Sequence, residues 1–407
     1  MSIVKKYCAT SLVLRIVIGL AIGVLLALLC PGAKFVGIFG TLFVSALKAV
    51  APLLVAVIVM SSIANAKGGM GARFRTVIIL YLLSTTIAAV VAVAGSFIFP
   101  VSMRLQDAAT SADAPVGIVD VLRNLLSGAV SNPVAALGQG NYLAVLFWAV
   151  LLGLALKAVA SEKTLAVLSE FADATSTVVR WVIQFAPFGI MGLVFSSVAD
   201  GGLDIFTDYG KIILLLVGCM LFNVLIVSPA IVAVMLKRNP YPLVLRCLKE
   251  SGIPAFFTRS SAANIPVNMD LCKRMGLDEQ FYSVSIPLGS TINMNGAAVT
   301  ITVMTLAICN TLGIEVGFSA AILLSVMAAL AACGSSGVAG GSLLLIPMAC
   351  SLFGIGADIA MQGVAVGFII GVIQDSLETA LNSSGDVIFT ATAELYEQRR
   401  KASDTIQ

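Results

Sequence analysis

Residues 375–386 read Asp375-Ser-Leu-Glu378-Thr379-Ala-Leu-Asn382-Ser-Ser-Gly-Asp386, and they follow the apolar run Gly363 to Ile373. Three carboxylates therefore sit in what reads as a membrane span. At 3.6 residues per turn, Asp375, Thr379, Asn382 and Asp386 fall within a narrow arc, with Glu378 at its edge. An ionised side chain at the bilayer centre costs roughly 2.5–3.5 kcal/mol on insertion scales. A stripe that faces a protein cavity holding a cation or an ammonium escapes most of that cost. The stripe points to a protein that moves something across a membrane.

Composition agrees. The chain of 407 residues is 59% hydrophobic and only 11% charged, with a mean hydropathy of +1.04. Soluble domains carry about 25% charged residues. The apolar segments are continuous rather than alternating, which gives a polytopic all-α membrane protein and excludes a β-barrel. There is no His, so His-based general base catalysis, His metal sites and His proton relays are absent. No nucleophile–base pair can be drawn, and the protein is not expected to be an enzyme. The eight Cys form no C-x-x-C pair and read as small apolar fillers. The apolar segment near 13–30, after Lys5-Lys6, reads as a retained first span.

Further spans are expected near 36–60, 76–99, 118–158, 178–198 and 211–236. The 118–158 segment is interrupted at Ser131-Asn132-Pro133 and Gly138-Gln139-Gly140-Asn141. Lys and Arg collect at Lys5-Lys6, in the 67–75, 157–163 and 237–249 loops and in the tail Arg399-Arg400-Lys401, whereas the loop containing Asp200, Asp204 and Asp208 is acidic. The positive-inside rule puts both termini in the cytoplasm, which requires an even number of spans, eight being expected.

After residue 249 the pattern changes. Phe256-Phe257-Thr258-Arg259-Ser260-Ser261-Ala262-Ala263-Asn264-Ile265-Pro266 and Gly334-Ser335-Ser336-Gly337-Val338-Ala339-Gly340-Gly341-Ser342 are small and polar between apolar arms of half-span length. They fit re-entrant hairpins. Each precedes a helix carrying Asn-x-x-Gly, at Asn293–Gly296 and at Asn382–Gly385. Broken helices at matching positions of two repeats point to the binding site of a secondary transporter. Asp375 suits an ammonium. Thr379 and Asn382, one and two turns on, can donate to a carboxylate, as can Ser261 and the backbone from Val338 through Gly340 to Gly341. Asp386 suits a sodium ion, with the oxygens of Asn293 and Asn382 completing the shell. Carbonyls of the Asn293–Gly296 segment and of Ser335 suit another cation. Other placements stay open at this point. Asp375 can pair with Arg259 as a structural bridge, Glu378 can face a neighbouring helix, Arg259 can snorkel, and Asp386 can be solvated. A channel would line its pore with repeated rings, whereas these half-sites suit one asymmetric ligand.

Thr258–Pro266, Asn293-Met294-Asn295-Gly296, Gly337–Gly341 and Asn382-x-x-Gly-Asp386 resemble the dicarboxylate/amino acid:cation symporter family, the glutamate-transporter fold. Ser131-Asn132-Pro133, Gly140-Asn141 and Pro187-Phe188-Gly189 add to the resemblance, which covers nearly the whole chain. It implies eight transmembrane helices with two re-entrant hairpins, a homotrimer, and elevator-like transport. On that pattern 1–240 is mainly scaffold, the third span joins the transport domain, 241–396 is the transport core and 397–407 a cytoplasmic tail. By the same resemblance Asp375 takes the substrate ammonium, and Thr379, Asn382, Ser261, Arg259 and the second hairpin tip complete the substrate site. Asn293, Asn382 and Asp386 then serve one sodium ion, and carbonyls near Thr291, Met294 and Ser335 a second.

Two departures matter. Where carriers of acidic amino acids have Arg, this chain has Glu378, which repels a second carboxylate and accepts from a hydroxyl. The chain therefore looks most like the bacterial serine/threonine:sodium symporters of the family. It is expected in the inner membrane, with an amino acid, sodium and lipid as its partners and no nucleic acid. Carriage of another neutral amino acid or of a dicarboxylate, with sodium or protons, is the alternative. Asn295 replaces a usual Asp of a further sodium site, which implies fewer coupled ions.

Overall fold

A computed structural model describes residues 10, 12–65, 72–105, 130–139, 141–202, 205–333, 335 and 340–406. Every element among them is helical. The first half begins with three long apolar helices, α1 (Leu12–Leu29), α2 (Gly37–Asn65) and α3 (Ala72–Ile98). A short α4 (Pro133–Gln139) starts on the side chain of Asn132, whose Oδ1 accepts from Val134 N and Ala135 N. Asn141 caps α5 (Tyr142–Val159), and Ser161 caps α6 (Glu162–Gln184).

The segment expected as one span near 178–198 is instead the end of α6 and most of α7 (Ala186–Gly201), two helices that meet at Phe185 with a bend of 51°. Pro187 explains the break, because its ring removes one backbone N–H and blocks a straight continuation. A second proline acts more gently. α8 (Ile205–Phe222) passes through a π turn, Asn223–Val227, into α9 (Ser228–Leu236). Pro229 cannot donate to the Leu225 carbonyl, and the Tyr241 hydroxyl donates to it at 3.2 Å instead.

The second half starts with α10 (Tyr241–Cys247), a π turn Leu248–Gly252 and α11 (Ile253–Thr258). Arg259, at φ 53°, turns the chain back into α12 (Ser261–Arg274). This is the first hairpin. Asn264 Nδ2 donates to Ser251 O at 3.2 Å across its arms, and Asn268 Nδ2 donates onward to Ser383 O at 3.2 Å. α13 (Glu279–Ile292) and α14 (Asn295–Thr311) are separated by two non-helical residues, Asn293 and Met294. α15 (Phe318–Ala332) leads to the second hairpin, whose returning arm is the 3-10 turn Ser342–Leu345 and α16 (Ile346–Ser351). The last helix, α17 (Ala357–Ile406), runs 50 residues.

The helices pack in two groups. α1, α2, α5, α6 and α7 form the first. Its close approaches use glycine: a Cβ on Gly192 would stand 2.4 Å from Gly40 N, so α2 and α7 touch backbone to backbone. The second group is α3 with α8 to α17, centred on α14, which is buried from Asn295 to Cys309. The sequence reading placed the 211–236 segment with the first half, apart from the third span. In the structure α8 and α9 lie along α3, α14 and α17. Phe43 of α2 meets Phe368 of α17 edge to face at 5.2 Å, across the boundary between the groups.

Among the described residues five helices are long and apolar enough to cross a membrane, or six when the bent α6–α7 pair is one span. The protein is a multi-pass helical membrane protein. Shorter apolar helices cover Leu14–Leu29, Phe147–Val159, Phe318–Ala332 and Ser342–Ser351.

Candidate functional site

The stripe on α17 is continuous helix, and its polar residues all turn inward. Asp375, Glu378, Thr379, Asn382 and Asp386 are each buried. Helix periodicity made this legible, and the partners supplied by other elements complete the picture.

Asp375 joins both hairpins. Its Oδ2 accepts from Arg259 Nε at 2.6 Å, and its Oδ1 accepts from Gly340 N at 3.0 Å. Arg259 also donates from Nη2 to Gly371 O at 3.2 Å. The guanidinium thus occupies the side of Asp375 where the sequence reading expects an ammonium. Leu12, Ile16, Ile183 and Ala186 of the first group close over this pair. Gly340 has φ 73°, and a Cβ there would lie 2.8 Å from the Phe368 ring, so only glycine presents this N–H.

The other expected substrate residues are near but differently engaged. Thr379 Oγ1 donates to Asp375 O at 2.8 Å, which leaves its oxygen as an acceptor rather than the expected donor. Ser261 is buried at the start of α12, but the cap is Ser260, whose Oγ accepts from Ala263 N. Gly341 is buried just before the returning arm, and its carbonyl accepts from Leu344 N. Val338 lies outside the described residues.

Glu378 faces a neighbouring seam. Its Oε2 accepts from Thr300 Oγ1 and Ser342 Oγ, both at 2.8 Å, and from the Gln374 amide. Neither Thr300, Ser342 nor Gln374 was picked out from the sequence. Gln374 stands one turn before Glu378 and Thr300 one turn past Gly296, so extending the two polar stripes by a turn would have found both. A Cβ on Gly296 would fall 2.7 Å from Glu378 Cα, so glycine lets α14 press against this part of α17.

The cation candidates gather where the unwound Asn293 and Met294 meet α17. Asp386 Oδ1 accepts from Asn293 Nδ2 at 3.0 Å. Asp386 Oδ2 is buried with no partner among the described residues. A buried carboxylate oxygen without a donor is costly, and a cation would relieve it. Asn382 accepts from Gly296 N at 2.8 Å and from Asn293 Nδ2 through its carbonyl at 3.1 Å. It is the nitrogen of Asn293 that faces Asp386, whereas the sequence reading expected its oxygen. That oxygen lies 3.2 Å from Ser84 Oγ. A Cβ on Gly385 would stand 2.6 Å from Asn293 Nδ2, so this contact too depends on glycine.

The second expected cation set is partly gathered. The Met294 carbonyl accepts from Ala298 N at 3.0 Å as α14 begins, and its sulfur lies 3.3 Å from Asn382 Nδ2. Thr291 lines a cleft with Ser290, Cys333 and Ser61. Ser335 is buried, with its N–H on Ala332 O. Asn295 Oδ1 accepts from Ser84 Oγ at 3.1 Å and Thr85 Oγ1 at 2.9 Å, so protein hydroxyls engage the oxygen at that position.

Several proteins match this chain in sequence over most of its length. The serine/threonine transporter SstT of Bifidobacterium adolescentis is 60% identical over 390 residues, 96% of this chain and 91% of that protein. Proteins of the same name from Streptococcus agalactiae and Streptococcus thermophilus are each 56% identical over 96% of this chain and 97% of their own length. A profile of the sodium:dicarboxylate symporter family matches residues 12–394, which takes in both hairpins, the broken helix and the stripe. On those grounds the chain belongs to the sodium:dicarboxylate symporter family.

Proposed function

We propose that this protein imports serine and threonine together with sodium. The observation that carries the reading is the inward stripe of α17, with a carboxylate for an ammonium at Asp375, an anionic side-chain position at Glu378 and an unpartnered carboxylate oxygen at Asp386. The names of the relatives support the substrate. A zwitterion inserts between Asp375 and Arg259, its ammonium facing the first and its carboxylate the second. One internal ion pair is then exchanged for two, in a site of low dielectric where each counts. A substrate with a second carboxylate meets Glu378, at a cost of several kcal/mol. Sodium binds at Asp386, with Asn382 and a turned Asn293 amide supplying oxygens. A second ion is served by carbonyls near Thr291, Met294 and Ser335.

The architecture follows the same reading. Eight spans result from the six long ones plus Leu14–Leu29 and the α5 helix, with the two hairpins re-entrant. α1, α2 and α5 to α7 form a scaffold that assembles three copies, and α3 with α8 to α17 forms the moving transport domain. The carrier resides in the bacterial inner membrane with both termini in the cytoplasm.

Radiolabelled uptake into proteoliposomes, with and without an inward sodium gradient, tests the reading. Sodium-dependent uptake of serine without uptake of aspartate is expected. Equal uptake of aspartate removes the role of Glu378. Uptake indifferent to sodium and driven by a pH gradient moves the coupling to a proton on a carboxylate.

A further inference from the structure

The seam beside Glu378 is short of hydrogen-bond donors. Thr300, Ser342 and Gln374 all donate to one carboxylate oxygen, Oε2, and Gln374 Nε2 donates to Thr300 Oγ1 as well, at 2.8 Å. Among the described residues nothing donates to Glu378 Oε1. Gln374 Oε1 is buried and has no partner among them either. The seam thus directs its own donors to one oxygen and leaves two acceptors waiting. A substrate methyl brings no donor, and a second carboxylate brings only acceptors. A hydroxyl brings one O–H.

Building on the serine/threonine reading above, we propose that Thr300, Ser342 and Gln374 are positioning residues that hold Glu378 by one oxygen and aim the other at the substrate's side-chain hydroxyl. Selectivity for hydroxy amino acids then belongs to a four-residue unit and not to Glu378 alone. Three elements build it. Thr300 comes from α14, Gln374 from the turn of α17 before Glu378, and Ser342 from the first residue of the returning arm of the second hairpin. Ser342 reaches Glu378 only while that arm is seated on α17. The seating of the arm and the aim of the acceptor are therefore one geometry. A substrate lacking the hydroxyl leaves a desolvated acceptor unpaired when the arm seats, which is the situation in which sites of this kind discriminate best.

The test is the ratio of serine to alanine uptake efficiency in proteoliposomes, for the wild type, Ser342→Ala, Thr300→Val and the double variant. Ser342→Thr serves as the conservative rescue. Ser325→Ala is the control, because that hydroxyl donates only to Ala321 O on its own helix, at 3.0 Å. The expected result is a fall of about tenfold or more in the ratio for the double variant, a smaller fall for each single variant, and the wild-type ratio for Ser342→Thr and Ser325→Ala. If the double variant fails to reach the membrane, the single variants are read by the same ratio. An unchanged ratio overturns the proposal, and so does an equal loss of both substrates, since a purely structural role lowers them together. Wild-type protein without sodium-dependent serine uptake refutes the transport reading itself, before any variant is compared.

Discussion

Asp386 is the residue on which the sodium reading turns. One of its oxygens is held by Asn293 and the other is buried without a donor among the described residues. Asp386→Asn replaces the charge by an amide of nearly the same shape, so packing is kept while the cation loses its anionic ligand. We expect sodium-driven serine uptake to vanish, or its half-saturating sodium concentration to rise at least tenfold, about 1.4 kcal/mol of lost cation affinity. A sodium titration of uptake reads this directly, and superimposable curves would remove Asp386 from the cation site. The sequence showed Asp386, Asn382 and Asp375 because a helix repeats its face every turn. It did not show which atom of Asn293 would face Asp386, since that depends on the dihedrals of two unwound residues. It also left Arg259 undecided between pairing and snorkelling; in the structure the left-handed turn at the hairpin tip brings its guanidinium to Asp375.

Among the elements, the first hairpin is the one most tightly sewn to α17. Asn268 Nδ2 donates to Ser383 O at 3.2 Å and Ser383 Oγ at 3.0 Å, while its Oδ1 accepts from Ser251 and Asn264. Replacing Asn268 by Leu leaves several buried groups unpaired at once. Single interhelical hydrogen bonds in membranes average about 0.6 kcal/mol, so the loss of this node should cost about 1–3 kcal/mol. It should appear as a lower unfolding temperature in detergent, and an unchanged midpoint would mean the seam carries no stability. The hairpins themselves were legible because each pairs small polar residues with two short apolar arms. The break of α13 and α14 was legible from Asn293–Gly296. The kink between α6 and α7 was not, because Pro187 lies inside an apolar run that reads as a single span by hydropathy. Ser342 is not legible for a similar reason: the residue it contacts, Glu378, lies 36 residues away.

At the scale of the whole molecule, two helical groups meet along a boundary that includes Phe43 against Phe368. If one group moves past the other, that contact must break in every cycle. In a background without the natural cysteines, Phe43→Cys with Phe368→Cys, bridged by a short bifunctional thiol reagent, should stop uptake, whereas each single substitution treated alike should not. Full uptake by the bridged protein would show that the two groups do not part there. The grouping was only partly legible in the sequence. Span order says which segments are helices, but α8 and α9 join the second group through side-chain fit along α14 and α17, which no periodicity reports.

The oxygen of Asn295 is already met by Ser84 and Thr85. That detail bears on how far such a carrier can concentrate its cargo. One sodium ion falling through a tenfold gradient and about 100 mV releases about 3.7 kcal/mol, which sustains roughly 500-fold accumulation of a neutral solute. Each further ion would multiply that ceiling by the same factor and would draw one more ion from the gradient per molecule imported. On the reading that the neutral amide of Asn295 removes one ion from the stroke, the carrier would work to a lower ceiling at a lower cost in ions per molecule imported.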